Sequence, residues 1–111
     1  MAIIKNLTID KNTNYERTVI FYGLNNTPFD LTNFTANSVI KKNYTSNTEA
    51  IFICNIISEA NGKMLLSLDY PQLANTKPGK YKYDIILTSP DNEKIKAVEG
   101  SVDIIETVTP W

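Results

Sequence analysis

The sequence predicts an all-β sandwich of about seven strands, and three observations carry that prediction. Clusters of Asn, Asp, Gly, Pro and Ser recur about every eight to twelve residues, the turn spacing of sandwich folds. The stretches between them favour β-branched and aromatic residues. No segment keeps apolar residues at helical spacing over several turns. With 111 residues and a formal charge of -1, the chain suits a single domain, 1–111, large enough to bury an ordinary core.

The elements follow in order. A first strand is expected from Ile3 to Ile9, closed by Asp10-Lys11-Asn12-Thr13-Asn14. Tyr15 to Tyr22 then alternates Tyr15, Arg17, Val19 and Phe21 against Glu16, Thr18, Ile20 and Tyr22. Both faces carry apolar groups, which predicts a well-buried strand. After the turn at 23–28, Phe29-Asp30-Leu31-Thr32 leads into a strand from Phe34 to about Lys42, with Phe34, Ala36, Ser38 and Ile40 inward. Ala50 to Ile57 sets Phe52, Cys54 and Ile56 on one face and Ile51, Ile53, Asn55 and Ile57 on the other. Asn61-Gly62 turns the chain into Lys63 to Tyr70, with Met64, Leu66, Leu68 and Tyr70 inward and Lys63, Leu65, Ser67 and Asp69 outward. Pro71 to Asn75 fits one helical turn across the end of the sandwich. Tyr81 to Leu87 and Lys94 to about Glu106 complete the plan, with Gly100 expected to interrupt the last strand as a bulge.

The stretch PGKYKYDIIL refines the fold class to an immunoglobulin-like antiparallel β-sandwich. In such sandwiches a tyrosine just after the turn into the sixth strand bonds its hydroxyl back to the preceding backbone. Leu73, Gly79 and Tyr81 match that corner. Tyr83 falls where an antibody domain carries the second cysteine of its bridge, so a buried aromatic is expected in place of a cross-link. The alternative at this stage is that both are half-exposed strand tyrosines.

Composition removes several kinds of chemistry. The chain contains no histidine, which takes away Ser-His and Cys-His pairs and the commonest zinc or copper ligand. Its acids are scattered, and Asp91-Asn92-Glu93 lacks the ligand spacing of a calcium loop, so no metal and no cofactor are expected. The glycines are isolated, without a phosphate loop. An enzyme is therefore not expected. The 11 Lys and Arg are balanced by 12 Asp and Glu and form no basic stripe, which argues against nucleic acid as a partner. Nowhere do about 18 apolar residues follow one another, and MAIIKNLTID lacks a signal-peptide core, so neither a membrane nor the usual export route is expected. Cys54, the single cysteine, reads as a small core residue.

Three longer stretches carry a family likeness. FDLTNFTANSVIKKNY (29–44), GKMLLSLDYPQLANTKPGKYKYDIILTSPDNEK (62–94) and VEGSVDIIETVTP (98–110) resemble small virion structural proteins of tailed bacteriophages, marine phages in particular. The shared features map onto Asp30-Leu31-Thr32 with Phe34, Lys41-Lys42, Leu66-Ser67-Leu68, Leu73 with Gly79, Tyr81, Tyr83 and Asp84, and Glu99-Gly100 with Val102. The resemblance implies an immunoglobulin-like domain in a neck, tail, baseplate or capsid position, with nothing catalytic. Trp111 departs from it, since similar proteins tend to end in a basic residue.

The expected function is protein–protein docking in a virion assembled in the host cytoplasm, with other virion proteins and further copies of the chain as partners. Ile51, Ile53, Ile57 and Leu65 form the candidate interface by alternation, with Trp111 beside them as a terminal aromatic. A register error of one would instead expose Phe52, Cys54 and Ile56. The alternative function is a carbohydrate-binding or host-adhesion module that uses Tyr22, Tyr44 and Trp111 as stacking platforms.

Overall fold

The computed structural model describes residues 3–11, 13–23, 27–43, 45–73 and 76–106. The chain is all-β. Its strands are β1 (Ile3–Ile4), β2 (Leu7–Asp10), β3 (Tyr15–Ile20), β4 (Thr35–Lys41), β5 (Thr48–Ser58), β6 (Lys63–Leu68), β7 (Gly79–Thr88) and β8 (Lys94–Ile105). A 3-10 turn, Tyr70–Leu73, lies between β6 and β7 with Pro71 in it, where the sequence places one helical turn.

The strands follow the order β1-β8-β7-β4-β5-β6-β3, with β2 also on β8. The strand β5 belongs to two ladders. Its first half pairs with β4, Ile51 opposite Val39, and its second half pairs with β6, Ile53 opposite Ser67. One long strand thus joins the two ladders, and the sheet curls until it is nearly closed. The two ends of the path, β1 with β2 and β3, flank the opening.

Alternation explains what fills the interior. Phe52 from β5, Met64, Leu66 and Leu68 from β6, Tyr81, Tyr83, Ile85 and Leu87 from β7, and Val102 and Ile104 from β8 are all buried. Leu7 and Ile9 of β2 and Ile40 of β4 complete this centre. Ser38 is a buried polar residue in β4, and its hydroxyl donates to the Asp84 carbonyl at 2.6 Å, so its burial leaves no donor unmatched.

Four expectations are corrected. The sheet is mixed, because β1 and β2 run parallel to β8. The first strand breaks at Lys5 and Asn6, where the Asn6 side-chain oxygen takes the Ser101 amide at 3.1 Å in place of a backbone carbonyl. The strand β3 is not well buried: it forms the edge beyond β6, with Arg17 and the Glu16, Thr18 and Ile20 face exposed and Tyr15 and Val19 half-buried. Gly100 makes no bulge, for it pairs in register with Tyr83, and the register shift falls at Ala97, between Val98 and Lys96. Gly100 is needed for another reason, since a Cβ there would lie 2.0 Å from the Lys5 carbonyl oxygen.

Candidate functional site

The hydroxyl-to-backbone contact expected of Tyr81 is present at the start of β7. Gly79 has φ 147°, a conformation that L side chains rarely adopt, and it lets the chain turn sharply into the strand. Two residues on, Tyr81 donates its hydroxyl to the Lys77 carbonyl at 2.6 Å. The ring is buried, and the Lys42 ammonium sits 4.7 Å from its centroid. Burial, and then the charge of Glu49, push the Tyr81 phenol above its ordinary range. Tyr83 points into the core, donates to the Lys5 carbonyl at 2.8 Å and meets Phe52 edge-on at 6.0 Å between centroids. Burial raises its pKa to about 12, with the Tyr15 phenol adding to the rise and the Arg17 guanidinium opposing it. These contacts tie β7 to β5 and to the chain before β2.

The candidate interface residues fall on one strand and its neighbour. Ile51, Ile53 and Ile57 are 59%, 51% and 53% exposed, in a line along the outer side of β5. Leu65 is half-buried and stands opposite Asn55, diagonal to Ile53 and to Ile57. The ladder shifts register at Ile57, between the pairs Ile56–Met64 and Ser58–Lys63. Trp111 and Tyr44 lie outside the described residues, while Tyr22 is 54% exposed beside its isolated bridge to Pro28.

A second feature was not identified from the sequence. Between β3 and the β1–β2 edge runs a groove of about 270 Å³, floored by Leu7, Val19, Phe21, Leu66, Ile85 and Val98. Lys5 and Arg17 line it as well. The signal was available in the alternation of β3, where Arg17 shares its parity with Tyr15, Val19 and Phe21 and is the one charged member of an otherwise inward set.

Reactive chemistry is sparse. Among the described residues no three His, Cys, Asp or Glu side chains come together as a metal site. Cys54 is half-buried, and burial pushes its thiol up to about 11, so at neutral pH it is protonated and a weak nucleophile. Asp30 lies below its ordinary range because Thr32 donates both its hydroxyl and its amide to it, a local turn on the surface.

No family model and no curated protein matches the chain. Among solved structures it is similar to a family 123 glycoside hydrolase from Clostridium perfringens, at 14% identity and a TM-score of 0.43. That likeness covers 96% of this chain and 24% of the hydrolase, and at this level it transfers neither fold nor activity.

Proposed function

We propose that this chain is a non-enzymatic structural component of a tailed-phage virion, an immunoglobulin-like domain that works by docking to other virion proteins and to copies of itself. The fold reading is supported by the Tyr81 hydroxyl returning to the Lys77 carbonyl at the start of β7. The docking reading rests on one observation: three isoleucines on one side of β5, each more than half exposed. Apolar surface left in water forgoes about 25 cal/mol per Å² of burial, so a row of three is a surface suited to a partner.

Sedimentation over a range of concentrations tests the self-docking part. The parent chain is expected to associate, and Ile53→Lys to sediment as a monomer with the melting temperature of the isolated subunit nearly unchanged. A strictly monomeric parent would remove self-association. Mass spectrometry of purified particles of the phage encoding the chain tests the virion assignment, which fails if the chain is absent from them.

A further inference from the structure

The groove at the open side of the sheet differs in kind from the β5 surface. Its two long sides are strand edges. Among the described residues, neither β3 nor the β1–β2 segment has a strand partner on its outer edge, so each offers backbone donors and acceptors to an incoming chain. Its floor is apolar, lined by Leu7, Phe21, Leu66 and Ile85. Lys5 and Arg17 bring two positive charges to it from opposite sides, and neither has an ion-pair partner among the described residues.

We propose that this groove takes an extended segment of a partner protein as an added strand, and that the segment carries an acidic side chain among apolar ones. The paired edges account for an extended backbone, and the apolar floor for alternate apolar side chains pointing inward. The cations account for the acid, since a carboxylate between Lys5 and Arg17 would meet a guanidinium fork and an ammonium together. The same charges disfavour a second copy as the occupant. Two β3 edges paired with each other bring one Arg17 towards another, and an inward charge on an edge strand is a known defence against such pairing. The occupant is therefore a different chain, and this site stands apart from the self-docking surface on β5.

The test uses the whole chain and two capped nine-residue peptides of alternating valine and threonine, one with a central glutamate and one with a central lysine. Titration calorimetry is expected to show the glutamate peptide binding at least tenfold more tightly than the lysine peptide. Arg17→Glu should reverse that order. Hydrogen exchange with the glutamate peptide bound should slow at amides of β3 and of β1–β2. Lys5→Glu, at an exposed side chain, supplies the same charge test if Arg17→Glu does not fold. Ile53→Lys lies on the other side of the sheet and should leave peptide binding unchanged, which separates this site from the β5 surface. Equal affinity for the two peptides, absence of binding, protection confined to β5, or free acetate binding as well as the glutamate peptide would each overturn the proposal.

Discussion

The Tyr83 hydroxyl donates to the Lys5 carbonyl at 2.8 Å, joining the inner face of β7 to the break between β1 and β2. Gly100 makes this possible. It stands opposite Tyr83 in the β7–β8 ladder, and the Lys5 carbonyl occupies the space its missing side chain leaves. The Lys5 amide meanwhile donates to the Glu99 carbonyl at 2.8 Å, so the first segment is fixed to β8 just where it passes over the glycine.

Gly100→Ala is therefore expected to destabilise the fold by about 1 to 3 kcal/mol, the range for forcing an atom into an occupied site. The loss should be local before it is global. Exchange at the Lys5 and Ser101 amides should accelerate well before amides in β4 or β7 do. A variant as stable as the parent, with both amides still protected, would mean the segment moves aside without cost.

The two tyrosines of β7 should separate cleanly in denaturant melts. Tyr81→Phe removes one buried hydroxyl bond to Lys77 and is expected to cost about 1 to 2 kcal/mol. Tyr83→Ala empties a core position against Phe52 and is expected to cost about 3 to 5 kcal/mol. If Tyr83→Ala proved the milder change, the packing of β7 on β5 would contribute less than its burial implies.

Much of this core was legible because alternation alone sets the facing of a strand. Parity places Phe52, Met64, Leu66, Leu68, Tyr83 and Ile85 inward, and each is buried. It places Ile51, Ile53, Ile57 and Leu65 outward, and the three isoleucines are exposed while Leu65 is half-buried. Parity does not reveal which strand lies at an edge, because that depends on long-range pairing. The apolar Val19, Ile20, Phe21 and Tyr22 therefore suggest burial for a strand that, among the described residues, has a strand neighbour on one side only. Gly100 was recognised as a special position, but its reason lies in Lys5, 95 residues earlier by the neighbouring Asn6–Ser101 contact, and no local pattern encodes such an approach. The groove was missed for the same cause: it exists only once two distant strands are brought face to face.

Alkaline pH should weaken the fold through Tyr83. Its phenol titrates near 10 when unfolded and at about 12 when folded, raised chiefly by burial. The folded chain then holds the proton more tightly, so this contribution is complete below pH 10 and is lost as pH rises through 12. Cys54, raised by burial to about 11, adds a loss that begins earlier. Melts between pH 9 and about 12.5 should show Tyr83→Phe declining less steeply than the parent while the Cys54 contribution stays in both. Parallel curves for the two proteins would show that Tyr83 ionises as freely in the fold as outside it.

Tyr15 offers the opposite case to Tyr83. Its ring packs against Phe52 at 6.3 Å between centroids, yet its hydroxyl is buried with no hydrogen-bond partner among the described residues. A buried donor without a partner carries its desolvation cost with no return, so removing it should not destabilise the fold. Tyr15→Phe keeps the ring and deletes the oxygen. The expected result is a stability equal to the parent or higher by up to about 1 kcal/mol. Because the Tyr15 phenol also contributes to the raised pKa of Tyr83, the variant should lose slightly less stability than the parent at alkaline pH, with the onset unchanged. A loss of more than about 1 kcal/mol would show that the hydroxyl is satisfied in solution and that this corner of the core is held by a polar contact as well as by packing.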